Sequence, residues 1–166
     1  MTKAEYTKFT KGVVNATRGL VARTPEGKLD WRPDPSFLKI GAVIHHVCTA
    51  IGAGLRDVMD GGWAIQPGGG EGSGLPPADA FPAVKSVKEG LDLIDADWKL
   101  FEQYFARVDE RTLNTQVCRI PWMAPGTTLA EYLLLTTEHL SNHRMQLFVY
   151  LRLLGLKIDT SNLYGG

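Results

Sequence analysis

The sequence contains four histidines, and they fall into two clusters. His45 and His46 are adjacent, whereas His139 and His143 are four residues apart. Imidazole is the commonest metal ligand among protein side chains, and it titrates near neutral pH. The i, i+4 spacing places the rings of His139 and His143 on one face of a helix. One more imidazole from the first cluster would complete a three-nitrogen metal site with open positions, and this is the chemistry that the sequence indicates.

The helix that carries the second cluster has a polar centre in an apolar face. At 100° per residue, one narrow face collects Tyr132, Leu135, Thr136, His139, His143, Gln146, Tyr150 and Leu153. We expect this face to point inward. Burying an unpaired amide or imidazole costs about 1 to 3 kcal/mol, so these polar groups need partners. A network of hydrogen bonds would satisfy them, and so would a metal ion with its water.

The first cluster does not show which of its two histidines is the better ligand. A helical wheel places His45 and His46 about equally far from the centre of the apolar stripe, on opposite sides. We expect at least one of them to be a surface residue without a role. Nor does any carboxylate stand at a spacing that marks a general base. Glu138 is next to His139 but points about 100° away from it, so we assign it no role.

The hydrophobic spacing predicts four amphipathic helices in a single domain over residues 1–166. Thr followed three residues later by Glu forms a capping box at the start of the first and fourth helices, and Asp34–Pro35 is a typical start for the second. The predicted helices span residues 2–23, 34–62, 81–105 and 128–155. Four helices of this length pack most simply as a four-helix bundle, so the predicted fold class is all-α.

A long glycine-rich crossover is predicted between helices two and three. Residues 61–80 include the stretch PGGGEGSGLPP, which cannot hold a helix. Twenty residues reach about 66 Å at ~3.3 Å each, whereas a helix of 25 residues is only ~38 Å long. The crossover is therefore long enough to let helices two and three run in the same direction.

Two segments resemble the DinB-like family. HLSNHRMQLFVYLRLLG, at residues 139–155, is similar to that family's last helix, and LDWRPDPSFLKIGAVIHHV, at residues 29–47, is similar to its approach to helix two. The resemblance implies an up-down-down-up four-helix bundle. It also implies a divalent metal ion held by His46, His139 and His143, although a shift of one residue would exchange His45 for His46. Gln146 matches the family's glutamine without any need to touch the metal.

The resemblance also implies a chemistry. Several DinB-like proteins are metal-dependent transferases that use low-molecular-weight thiols, so we expect a transferase or hydrolase that acts on a small molecule. Zinc, nickel, iron and manganese are all compatible with nitrogen ligands. The alternative is a non-enzymatic bundle, a metal-binding or stress-associated dimer whose imidazoles serve stability or ligand sensing.

Charge and composition restrict the partners. The 18 basic and 18 acidic residues give zero formal charge, which offers no electrostatic reason to expect nucleic acid or anionic lipid as a partner. No apolar run approaches a membrane-spanning length, and the N-terminus lacks the apolar core of a signal peptide. Cys48 and Cys118 are too few for a disulfide framework. We expect a soluble, cytoplasmic protein with reduced thiols.

A homodimer is predicted from a second apolar face on the fourth helix. This face carries Leu134, Met145, Phe148 and Val149. A helix that is apolar on both sides is usually covered on both sides, and a second copy of the chain would cover this one.

Overall fold

The computed structural model describes residues 1–61, 77–120 and 123–165. Within these ranges the chain forms seven α-helices: α1 (Lys3–Ala22), α2 (Ile40–Val47), α3 (Ile51–Met59), α4 (Val87–Phe105), α5 (Glu110–Thr115), α6 (Leu129–Leu153) and α7 (Thr160–Tyr164). The only extended pairing among the described residues is an isolated antiparallel bridge between Val117 and Thr128. The prediction of an all-α fold is confirmed. Most of the predicted crossover, residues 62–76, lies outside the described residues.

The first and last long helices begin where the sequence places them. Thr2 and Glu5 form the capping box of α1, and Thr128 and Glu131 form that of α6. In each case the Thr hydroxyl accepts from the Glu backbone N–H while the Glu carboxylate accepts from the Thr backbone N–H. Gly155, at φ +85°, follows α6 in the left-handed conformation that favours glycine. These local signals explain why both predictions are confirmed.

The predicted start of helix two is wrong. The Asp34 carboxylate accepts hydrogen bonds from the backbone N–H and the hydroxyl of Ser36, at 2.9 and 2.6 Å, and this holds the segment in a turn. The helix begins instead at Ile40. Its first N–H groups donate to carbonyl oxygens of the preceding loop, at Trp31 and Leu29, so backbone atoms take the place of a capping side chain.

The predicted helix two is also not continuous. It is interrupted at residues 48–50, between α2 and α3. The Asp97 carboxylate, on α4, accepts the N–H groups of Ile51, Gly52 and Ala53 at 2.8 to 3.0 Å and so caps α3 from another helix. A Cβ atom on Gly52 would lie 2.0 Å from the Asp97 carbonyl oxygen, so only glycine allows α3 to approach α4 this closely.

Helix three starts later than predicted. Ser86 is the N-cap of α4, and its hydroxyl accepts from the Glu89 N–H at 3.0 Å. The expected start near Phe81–Pro82 is therefore wrong by about one and a half turns, although the end at Phe105 agrees with the prediction. The Ser-x-x-Glu pattern is itself a capping signal, so the sequence contained the correct start.

The long helices enclose one apolar core. α1 packs against α4 and α6, and so do α2 and α3 together, while α5 and α7 pack against α6. The core contains residues from each of the long helices, among them Tyr6, Leu20, Ile44, Phe101, Leu133, Leu140 and Leu147. The Tyr6 hydroxyl donates to the Leu133 carbonyl at 3.0 Å, which ties α1 to α6. Among the described residues, no helix is both long and apolar enough to cross a lipid bilayer.

Candidate metal centre

Three of the four histidines converge at one point. His46 comes from the last turn of α2, and His139 and His143 come from successive turns of α6. Their ring centroids are 4.5 to 5.0 Å apart, and each ring offers a nitrogen such that all three nitrogens lie within 4.8 Å of one another. His45 lies outside this group. The geometry therefore selects His46 as the third member, where the helical wheel gave no preference.

The closest pair of nitrogens has the spacing of two neighbouring metal ligands. The Nε2 atoms of His46 and His139 are 2.8 Å apart. A nitrogen ligand lies ~2.0 to 2.1 Å from a bound zinc ion, so two nitrogens this close together can bind the same ion. Without an ion, this contact is a hydrogen bond in which the Nε2–H of one ring donates to the Nε2 of the other. The donor set and its spacing thus fit a divalent metal ion.

Two of these imidazoles have lowered pKa values. Desolvation, followed by the neighbouring His143, His139 and His45, lowers the pKa of His46 from 6.5 to about 4. The pKa of His139 is also lowered, by desolvation and then by His143. Because a metal binds only the neutral ring, both side chains are ready to bind at neutral pH without first losing a proton.

A chain of two hydrogen bonds orients the third ring. The Nδ1–H of His143 donates to the Oε1 of Gln146 at 2.7 Å, because an amide oxygen can only accept. The Nε2 of Gln146 in turn donates to the Tyr150 hydroxyl at 2.9 Å. This fixes the tautomer of His143 with its Nε2 lone pair free for a metal, which is the usual arrangement around metal-bound histidines.

Aromatic side chains surround this chain of hydrogen bonds. Trp31 and Phe37, from the loop before α2, meet the Tyr150 ring edge-on at centroid distances of 5.7 and 6.5 Å. Phe81 meets the ring of His46 edge-on at 6.2 Å. The loop that precedes the His46 helix therefore packs against Tyr150, which bonds to Gln146 and through it supports His143. One packing arrangement thus positions both sides of the centre.

The histidine face of α6 does not point into the core, contrary to the expectation from the wheel. His139 is exposed and His143 is half-buried. The face that packs in the core carries Leu133, Thr137, Leu140, Arg144, Leu147 and Leu151. The wheel, centred on the histidines, missed this face, whose leucines are interrupted by the polar residues Thr137 and Arg144. The Thr137 hydroxyl is satisfied by Tyr6, and the Arg144 guanidinium lies 5.8 Å from the centre of the Tyr164 ring.

A cavity of about 800 Å³ adjoins the histidines. It lies between α6 and the α2–α3 segment, and its lining includes His46 and His139. Three further lining residues on α6 and α3 are Glu138, Asn142 and Asp57, which the sequence reasoning missed. Glu138 points about 100° away from His139 on the helix, but the cavity is wider than one helix face and is lined by both side chains.

The cysteines add no ligand to the centre. Cys48 is fully buried, as a small apolar side chain would be, and burial raises the pKa of its thiol to about 12. Within the described residues, the three histidines are the only group of potential ligands with metal-binding spacing.

The fold and the histidine cluster define an all-helical protein with a three-imidazole candidate centre. A family model of the DinB superfamily matches residues 11–147, so the chain belongs to that superfamily. The fold is similar to the crystal structure of a DinB-like protein from Bacillus cereus, with a TM-score of 0.72 and 19% identity over 95% of this chain and 96% of that one. A conserved protein from Enterococcus faecalis is also similar, with a TM-score of 0.68 and 14% identity over 92% and 96% of the two chains. No functionally curated protein matches this chain significantly.

Proposed function

We propose that this protein is a metal-dependent enzyme in which His46, His139 and His143 hold one divalent ion. The observation that carries the proposal is the convergence of three imidazole rings, 4.5 to 5.0 Å apart, at the edge of a cavity of about 800 Å³. Cavities of ~300 to 1,000 Å³ are typical for small-molecule sites. A centre used only for stability would need no such space beside it.

Three neutral imidazoles leave the charge of the ion uncompensated. When bound, such an ion lowers the pKa of a coordinated water or thiol and so supplies a nucleophile at neutral pH. The protein side chains bind and orient: the lowered pKa values of His46 and His139 keep these rings neutral, and Gln146 holds the tautomer of His143. Zinc, nickel, iron and manganese are the candidate ions.

The reaction that this arrangement supports best is transfer of a low-molecular-weight thiol to an electrophilic small molecule, or hydrolysis of such a molecule. The reacting thiol must come from a cosubstrate, because Cys48 and Cys118 are buried with raised thiol pKa values. Thr49, Thr136 and Asn142 line the cavity and offer hydrogen bonds that would orient the substrate.

Cobalt substitution tests the proposed function directly. A thiol added to the Co(II)-loaded protein is expected to produce a sulfur-to-cobalt charge-transfer absorption, and addition of an alkylating electrophile should then consume thiol faster than in protein-free buffer. His46→Ala should abolish both signals, while His45→Ala should retain them. A Co(II)-loaded protein whose spectrum does not change with any thiol would contradict the thiol-transferase assignment.

The alternative function is a non-enzymatic, metal-binding dimer, and the surface of α6 favours at least the dimer. Leu134, Met145 and Val149 are 45%, 43% and 44% exposed, whereas Phe148, expected on the same face, is buried in the core. A second copy of the chain would cover the three exposed side chains. Light scattering should give twice the monomer mass at micromolar concentration, and Val149→Glu should give the monomer mass. A monomer in the parent protein would refute the dimer.

The up-down-down-up order of four helical segments, in one domain over residues 1–166, is also proposed. The contacts between pairs of helices support it. Tyr6 and Thr10 of α1 meet residues 133 and 137 of α6, so these two helices run parallel. Arg18 of α1 pairs with Asp95 while Tyr6 packs on Phe105, so α1 and α4 run antiparallel. His46 meets His139 while Gly54 meets Tyr132, so the α2–α3 segment runs antiparallel to α6.

A further inference from the structure

The cavity beside the histidines is elongated. On α3 and its N-cap residue it is lined by Ala50, Ala53, Gly54 and Asp57, which share one helix face. Residues 50 and 57 are about 10 Å apart along the helix at ~1.5 Å per residue. Since Gly54 lies against Tyr132, two turns of α6 before His139, the cavity extends from the histidines towards Asp57. A ligand with one atom at the histidines therefore lays its remaining atoms along α3.

The walls of the cavity are mostly apolar and carry negative charge, with the polar side chains of Thr49, Thr136 and Asn142 among them. Small or apolar side chains line its length, namely Ala50, Ala53, Gly54, Tyr132 and Leu135. Two carboxylates, Asp57 and Glu138, also line it, and no lysine or arginine does so among the described residues. Arg56 binds the Asp57 carboxylate at 2.7 Å from outside the lining. Glu138 makes no hydrogen bond or ion pair to any residue in the described ranges, so its charge is not compensated there.

We infer that the cavity accepts a ligand whose body, beyond its metal-binding atom, is apolar and either uncharged or cationic, and that it discriminates against anionic bodies. An added carboxylate would enter a partly desolvated space that already holds two carboxylates and no lysine or arginine, whereas an ammonium group would be attracted there. That this ligand is the substrate rests on the proposed function; its charge preference rests on the cavity alone.

Three probes of similar size test the preference: 2-phenylethylamine, 2-phenylethanol and 3-phenylpropionate. Each is titrated at pH 8 into the full-length, ¹⁵N-labelled protein, both as purified and after treatment with a chelator, and amide chemical shifts are followed by NMR. The amine should bind about tenfold more tightly than the carboxylate in the chelator-treated protein. The shifted amides should include those of Ala53, Gly54 and Leu135.

Two variants relate the binding to the cavity. Glu138→Gln removes the carboxylate that has no compensating partner, so the ratio between amine and carboxylate should fall to about threefold or below; Glu110→Gln, on α5, should leave it unchanged. Ala53→Leu fills the cavity and should weaken all three probes, whereas Ala96→Leu, on the exposed side of α4, should not. The amide spectrum of each variant shows whether it is folded. If Ala53→Leu does not fold, Glu138→Gln alone still tests the inference.

The outcomes separate this inference from the proposed function. Equal or tighter binding of the carboxylate in the chelator-treated protein, shifts outside the cavity, or no binding of any probe would overturn the inference. If the protein holds no stoichiometric metal but the amine is preferred and Glu138→Gln reduces the preference, the proposed function fails and the inference stands. If the purified protein holds stoichiometric metal but binds the carboxylate more tightly than the amine after chelator treatment, the inference fails and the proposed function stands.

Discussion

Replacing Gln146 with leucine removes the support of one metal-binding ring without touching any ligand. In the parent protein the Oε1 of Gln146 accepts the Nδ1–H of His143 at 2.7 Å, and its amide group is held in turn by the Tyr150 hydroxyl at 2.9 Å. Leucine has a similar size but no acceptor. The Nδ1–H of His143 would then lose its partner, and the ring would be free to rotate or change tautomer.

The expected cost follows from the role of such partners. Loss of a residue that hydrogen-bonds a metal-binding histidine typically lowers metal affinity by ~10- to 100-fold, or about 1.4 to 2.7 kcal/mol. Gln146→Glu keeps an acceptor oxygen at the same position, and its charge strengthens the bond to the imidazole. That variant should bind metal at least as tightly as the parent. Tyr150→Phe removes only the outer hydrogen bond and should have a smaller effect than Gln146→Leu.

The assay is competition for Zn(II) between the protein and a chromophoric chelator at pH 7.5, with circular dichroism to establish that each variant is folded. The prediction is an order of affinities in which Gln146→Leu lies well below the parent and Gln146→Glu does not. A folded Gln146→Leu protein with the affinity of the parent would refute the reasoning, because His143 would then need no support from its neighbour.

The remaining predictions concern stability. Gly52→Ala should prevent folding or destabilise the protein by several kcal/mol, about the cost of a severe backbone clash, because its Cβ would meet the Asp97 carbonyl oxygen at 2.0 Å. Gly12→Ala, in α1 with nothing within 4 Å of its Cβ, should stabilise by about 0.5 to 1 kcal/mol; chemical denaturation measures both. The pKa of His46 is lowered from 6.5 to about 4, so the unfolded chain binds a proton that the folded chain does not as the pH falls through this range. The unfolding free energy of the metal-free protein should therefore decrease from pH 6.5 to pH 4, and less so in His46→Gln; an equal decrease in both would contradict this assignment.

The parts of the fold that the sequence predicts are those determined by local contacts. The capping boxes at Thr2 and Thr128 lie within one turn of the helices that they start, and the i, i+4 spacing of His139 and His143 fixes their common face on any helix. These features depend on residues three or four positions apart. They were accessible without knowledge of the tertiary structure.

The parts that were missed depend on residues far apart in the chain. The interruption of helix two at residues 48–50 is stabilised by Asp97, which is 44 to 46 positions away from the amides that it caps. The apolar spacing continues across the interruption, so periodicity alone could not reveal it. Likewise, the choice between His45 and His46 depends on which ring meets α6, and a helical wheel contains no information about a neighbouring helix.

The orientation of α6 was missed for a related reason. Thr137 and Arg144 are polar and interrupt a face that otherwise carries Leu133, Leu140, Leu147 and Leu151. Both are buried, because the Thr137 hydroxyl bonds to Tyr6 and Thr10 and the Arg144 guanidinium faces the ring of Tyr164. The sequence therefore predicted that α6 buries its histidines. In the structure His139 lines an open cavity at the edge of the core.

The central claim is that His46, His139 and His143 form one metal centre. The most direct test of this claim is a measurement of metal content. Untagged protein and the four single His→Ala variants would be analysed by mass spectrometry after equilibrium dialysis against Zn(II), Ni(II), Fe(II) and Mn(II) in turn. We predict one ion per chain for at least one of these metals, strongly reduced in His46→Ala, His139→Ala and His143→Ala and unchanged in His45→Ala. A folded parent protein without stoichiometric metal, or loss of metal in His45→Ala but not in His46→Ala, would contradict it.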